Sequence, residues 1–256
     1  MEYPLRRESR KTIGIYIVHG CVEVRAPFKT PKSVINEFVT SKNAWIAKRL
    51  AIVQKQQQMK QEFVLSYGSK LLWRGQEIPL LGDSNDNRIW RDDSGFHLPP
   101  NLDADSLKNN VIRLYKICAH NYLAERVMHF AQIMGDEPHN LKITNAKVRW
   151  GSCIKRIPQK AKRTNASSSL SLSKMLRNLQ TATGKPLYNI CFSWRLVMAE
   201  DDVIDAVVVH ELAHIKEMNH SAQFYRLVKS VLPDYEERDS KLKILSKRLE
   251  YENWEI

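Results

Sequence analysis

The chain has 256 residues, 43% of them hydrophobic, and 40 Lys and Arg against 28 Asp and Glu give a net charge of +12. That length buries a substantial core as one domain or two small ones, and the four cysteines form no C-x-x-C pair, which argues against a disulfide framework or an all-cysteine zinc site. No run approaches the roughly 18 apolar residues of a membrane span and the N-terminus has no apolar signal core, so the expectation is a reduced, cytoplasmic protein without membrane contact.

In chain order, Ile13, Ile15 and Ile17 alternate with other residues, Gly20 turns the chain, and Val22, Val24 and Ala26 resume the alternation, which predicts a β-hairpin. Val34, Phe38, Trp45, Ile46, Leu50 and Val53 follow with helical spacing, for one or two helices that end in the polar run Gln54 to Gln61. Short apolar runs at Leu71 to Trp73, Ile78 to Leu81, Ile89 to Trp90 and Phe96 to Leu98, separated by glycines, predict strands and turns up to Pro99-Pro100. A long helix is expected from about Leu102 to Met134, closed by Gly135 and Pro138, and short extended pieces from Lys142 to Trp150. Leu187 to Leu196 has strand composition, and Ser221 to Trp254 is helical with a break near Pro233.

Between these pieces the composition changes. From Lys155 to Asn189 there are eight basic residues and no acidic one, around a serine-rich stretch at Ser167 to Ser173. The segment reads equally as a solvated surface loop or as an electrostatic contact with nucleic acid or another polyanion.

The chemistry lies in Val207-Val208-Val209-His210-Glu211-Leu212-Ala213-His214, an H-E-x-x-H, with His220 ten residues after the first histidine. Three valines permit a strand, but there His210 and His214 would stand about 13 Å apart, too far to share one ion. On a helix they share a face, along the stripe Val203, Val207, His210 and His214, with acidic residues at the helix start. The apolar spacing runs on through Ile215 and Met218 before Asn219 can end the helix.

Arg149-Trp150-Gly151-Ser152-Cys153, Phe192-Ser193-Trp194-Arg195-Leu196-Val197, the H-E-x-x-H, Asn219-His220-Ser221 and Phe224-Tyr225, in that order, closely resemble the YgjP-like metallopeptidase family. The hairpin closed by Arg25 and Pro27, and Trp45-Ile46 after it, extend the resemblance to nearly the whole chain. It implies an α+β fold: a zincin-like domain related to SprT-like and WLM proteases, with a small mixed sheet beside the histidine helix. Residues 1–100 would be a β-rich portion with a helix pair and residues 101–256 the metallopeptidase portion, the two forming one domain. His210, His214 and His220 would bind Zn²⁺, and Glu211 would act as general base on a protein or peptide substrate. Glu217 stands where a metzincin requires glycine, and the basic segment, 155–186, is an insertion relative to the family.

Arg149, Arg195 and Tyr225 are candidates for oxyanion stabilisation, although the two arginines could equally be structural. Trp150 and Trp194 read as core aromatics, Gly151 as a tight turn and Cys153 as a buried structural thiol. His19, His97, His120, His129 and His139 have no ligand spacing. A substrate peptide could add along Ile190 to Trp194 as a strand. Two other readings keep the metal: a nucleoside triphosphate pyrophosphatase, which lacks support from any G-x-x-x-x-G-K-[ST] loop, and a nucleic-acid-binding module with a structural zinc, which has no use for Glu211.

Overall fold

The structure is a computed structural model that describes residues 2–18, 20–83, 88–157 and 186–254. Most of the basic insertion expected at 155–186, and His19, lie outside the described residues. Six α-helices and three small mixed sheets among the described residues make the fold α+β. Two units can be distinguished, Met1–Val64 with Arg248–Glu255, and Leu65–Lys247.

In the first unit the hairpin forms as expected, β2 (Gly14–Val18) antiparallel to β3 (Cys21–Pro27), with Gly20 at φ 79° in the turn. The sequence pattern did not reveal β1 (Leu5–Glu8), which pairs parallel with β3 on its other side. Val22, Val24 and Ala26 point inward at every second position and pack with Ile35 and Val39 of α1 (Lys32–Ser41) and Ile46 of α2 (Asn43–Glu62). The Arg7 guanidinium donates to the carbonyls of Pro27 and Thr30, at 2.9 and 2.5 Å, and so fixes the turn into α1. The glutamine-rich run continues α2 to Glu62 rather than ending it, because Gln and Lys are good helix formers even without an apolar stripe.

The second unit opens with β4 (Lys70–Trp73), β5 (Gln76–Gly82), β6 (Trp90–Arg91) and β7 (Phe96–Leu98), in the order β4-β5-β7-β6. The division between units falls at Val64–Leu65, while the composition changes near Pro99-Pro100. The reason is packing: Trp73 and Phe96 of this sheet lie edge-on at 6.3 Å, and Phe96 meets Tyr115 of α3 (Ala104–Met134) at 4.8 Å. The buried Tyr115 hydroxyl donates to Leu72 O at 2.7 Å, which ties the helix to β4. Asp103 caps α3 by accepting from Ser106 N, and Gly135 ends it at φ 74°, the left-handed conformation that glycine adopts without strain.

A second sheet follows, of β8 (Asn140–Thr144), β9 (Gly151–Arg156) and β10 (Leu187–Ser193), in the order β8-β10-β9. β10 runs parallel to β8 and antiparallel to β9, so it is the central strand. Its edges are therefore taken, and strand addition along Ile190 to Trp194 is ruled out; among the described residues β9 is the edge on the side of the histidine helix. Trp194 to Leu196, expected to continue the strand, instead belong to a 3₁₀ turn, Trp194–Met198, capped by Ser193. It leads into α4 (Asp201–Lys216), α5 (Ala222–Val231) and α6 (Tyr235–Leu249). No described helix is long and apolar enough to cross a membrane.

Candidate metal centre

The motif sits on α4, whose first turn carries Asp201 and Asp202 where carboxylates meet the positive end of the helix dipole. Arg74 and Tyr122 both hydrogen-bond Asp201, and Arg126 grips Asp205 through two bonds of 2.7 and 2.9 Å. The helix is buried on more than the expected stripe: Ile204, Val208, Val209 and Leu212 are covered as well as Val203 and Val207. Its neighbours α3, β9 and α5 surround it, which is why an unbroken apolar run suits it. α4 ends at Lys216, short of the expected Asn219. Glu217 is extended at φ −126° and ψ 101°, and its carbonyl lies 3.0 Å from His214 Nδ1.

His210, His214 and His220 come together, with one ligand nitrogen from each inside a group no wider than 4.8 Å. His220 arrives on the turn before α5, where Ser221 caps the helix by accepting from Phe224 N at 3.2 Å. The fully buried Phe224 ring lies 4.6 to 4.9 Å from all three imidazoles and forms their floor. His210 Nε2 and His220 Nε2 are 3.0 Å apart. Nitrogens on one tetrahedral zinc stand roughly 3.3 Å apart, from bonds of about 2.0 Å, so the spacing suits a shared ion. Two unprotonated imidazole nitrogens this close repel each other unless a cation stands between them. Burial, then the neighbouring imidazoles, pushes His210 down to about 4, and burial also lowers His214. Both are neutral near pH 7, the form that donates a lone pair to a metal. The donor set fits zinc. Among the described residues no other three His, Cys, Asp or Glu gather in this way.

Glu211 lies against β9. Burial pushes its carboxyl up to about 8, against the opposing effects of the Arg149 charge and the Cys153 backbone N–H. Its Oε2 is buried without a hydrogen-bond partner among the described residues. Gly151 is not at positive φ, so the tight-turn reading does not hold; it lies within a strand pairing. Its role is space. A Cβ there would stand 2.5 Å from Glu211 Oε1 and 2.6 Å from Cγ, closer than atoms can pack.

A cavity of about 240 Å³ opens beside this pair, lined by Val148, Trp150, Ala206, Val207 and Leu242, with Arg149, His210, Glu211, Tyr235 and Asp239 at its polar positions. Of the three candidates for oxyanion stabilisation, Arg149 lines this cavity and Tyr225 lies near His220, their rings 6.3 Å apart. Arg195 does neither. It is buried, its cation lies 4.4 Å over the Trp194 ring, and it donates to Asn145 O at 3.3 Å, so it braces the sheet. Trp194 is core, while Trp150 is half-buried and donates to Ser246 Oγ at 3.0 Å. Burial, Glu211 and Cys191 push the Cys153 thiol up to about 12, which makes it a poor nucleophile. His97 stacks on Trp90 at 4.6 Å and pairs with Asp92, His120 and His129 are exposed, and none of these approaches the cluster. Tyr235 carries no sequence signal, although its hydroxyl lies 2.8 Å from His210 Nδ1; nothing in local spacing links residues 25 apart on different helices.

A family model described as YgjP-like, metallopeptidase domain matches residues 11–159 and 155–244. No curated protein and no solved structure matches the chain.

Proposed function

The chain belongs to the YgjP-like metallopeptidase family, and from that premise we propose that it hydrolyses peptide bonds with a zinc ion held by His210, His214 and His220 in a zincin-like site. The observation that carries this reading is the convergence of three imidazoles, one of which, His210, lines a cavity together with the buried carboxylate of Glu211. Bound zinc supplies Lewis acidity, which polarises a carbonyl and lowers the pKa of water toward about 7.

Glu211 then acts as the general base that takes a proton from the attacking water and passes it to the leaving amine. The Arg149 charge favours its ionised form, against the effect of burial, and a zinc ion held by the three histidines would add to it. Arg149 stabilises the developing oxyanion in this reading, which its exposure at the cavity supports. The substrate main chain adds to the β9 edge, Gly151 to Arg156, and the mainly apolar cavity wall favours a peptide over a nucleotide phosphate. Contact with nucleic acid through the basic segment 155–186 is a separate proposal that rests on its charge alone.

The test is a substrate comparison on purified, zinc-loaded protein, with denatured protein and peptides in one arm and nucleoside triphosphates in the other. Peptide cleavage that disappears on removal of zinc and returns with it is the expected result. Cleavage confined to nucleotides sinks the peptidase reading.

A further inference from the structure

We infer that Tyr235 is the positioning residue for His210: its hydroxyl accepts the Nδ1 proton and so holds Nε2, with its lone pair, toward the other two histidines. The inference rests on the metal-site reading above and adds to it the group that orients one ligand.

The proton assignment follows from the geometry taken together with a metal ion at Nε2. His210 Nε2 is the nitrogen beside His220 Nε2, at 3.0 Å, and so the one on the ligand side. A neutral imidazole has one proton, and with Nε2 unprotonated that proton is on Nδ1. Nδ1 lies 2.8 Å from Tyr235 Oη, and the two rings are stacked at 22° with centroids 6.2 Å apart. His214 is held in the same sense by the Glu217 carbonyl, at 3.0 Å from its Nδ1. Both helical ligands therefore have an outer acceptor, but only that of His210 comes from a side chain, and so can be removed by substitution.

Tyr235 is itself firmly placed. It is 9% exposed and begins α6 just after the Pro233 break. Arg238, one turn on, donates to Asp202 O at 3.0 Å, and Lys241 to Asp202 Oδ2 at 2.8 Å. These bonds pin the start of α6 to the start of the ligand helix, so the hydroxyl is presented by two rigid elements rather than by a loop. Outer acceptors of this kind set the tautomer and ring orientation of a ligand, and their loss costs about 10–100-fold in metal affinity.

The experiment uses the full chain. Tyr235→Phe removes the hydroxyl and keeps the ring against His210. Zinc affinity, read by competition with a chromophoric chelator, is expected to fall about 10–100-fold, and the visible absorption of the cobalt-substituted protein is expected to change, while the metal-free variant melts where the metal-free wild type does. Wild-type affinity and an unchanged cobalt spectrum in the variant overturn the inference alone. A wild type that takes up no zinc overturns the metal reading and the inference with it. Nitrogen-15 spectra of the zinc-loaded wild type test the assignment without a variant: the proton is expected on His210 Nδ1, and coordination through Nδ1 overturns it.

Discussion

Glu211 and Gly151 form a pair in which one residue is defined by what the other lacks. The carboxylate occupies the space that any β-carbon at position 151 would take. Gly151→Ala is expected to keep zinc binding and displace the Glu211 carboxylate, proposed as the base, with activity falling at least about tenfold because misplacement by an ångström can cost a hundredfold. Peptide turnover and a zinc titration on the same sample check it, and unchanged turnover refutes the spatial role. Glu211→Gln preserves shape and burial but cannot take a proton, so peptide hydrolysis is expected to fall by about 10²–10⁴-fold with zinc retained. Loss of the metal in that variant would mean that Glu211 is structural. The place of Glu211 next to His210 on one helix is legible in H-E-x-x-H, and its role as base is what these variants test. The role of the glycine is not legible there, because a close approach across two elements leaves no trace in local spacing, and a turn is the reading that local sequence favours.

Among the elements, α4 is the one on which the centre depends, and its anchors lie near its N-terminus. Arg126 and Asp205 are both largely covered, so Asp205→Asn removes a charged, two-bond clamp between α3 and α4. A loss of about 2 kcal/mol is expected, read as a lower urea midpoint at constant slope. Asp201 adds a pH dependence. Its hydrogen bond from Arg74 is the main cause that holds its pKa below the ordinary carboxylate value. The native state then binds fewer protons than the unfolded one, so this contribution is complete above about pH 4 and is lost as pH falls through the depressed folded value. Arg74→Ala should therefore flatten the acid limb of the stability curve; the pair is half-exposed, and the effect is below about 1 kcal/mol. The helix itself was legible from ligand spacing and its acidic start. Its early end was not, because Glu217 leaves the helix where its carbonyl meets His214.

For the whole molecule, a metal that binds only the folded chain raises its stability by mass action, about 2.7 kcal/mol at a hundred times Kd. Chelation is expected to lower the melting temperature and zinc to restore it, with no response in a His210→Ala, His214→Ala double variant. An equal response in both would place the metal elsewhere. The net charge of +12 acts at the same scale, and eight of its cations fall between Lys155 and Lys185. If that segment contacts nucleic acid, its deletion weakens oligonucleotide binding and makes the salt dependence shallower, and fluorescence anisotropy at two salt concentrations checks both. Binding that is unaltered by the deletion assigns the segment to solvent.

By itself the sequence determined what depends on near neighbours along the chain: the β2–β3 hairpin with its Gly20 turn, a long helix from about Leu102 to the Gly135 stop, and the helical spacing that puts His210 and His214 on one face. Each is set by backbone preference or by a period of a few residues. Tertiary structure decided what depends on contacts between distant segments. It made β10 the central strand and β9 the edge, paired Tyr235 with His210, put Phe224 beneath three imidazoles, and left Glu211 room beside Gly151. The physical reason is that hydrophobic spacing tells a residue which side is inward, whereas a shared proton or an excluded β-carbon depends on distances of a few tenths of an ångström that only the packed chain sets.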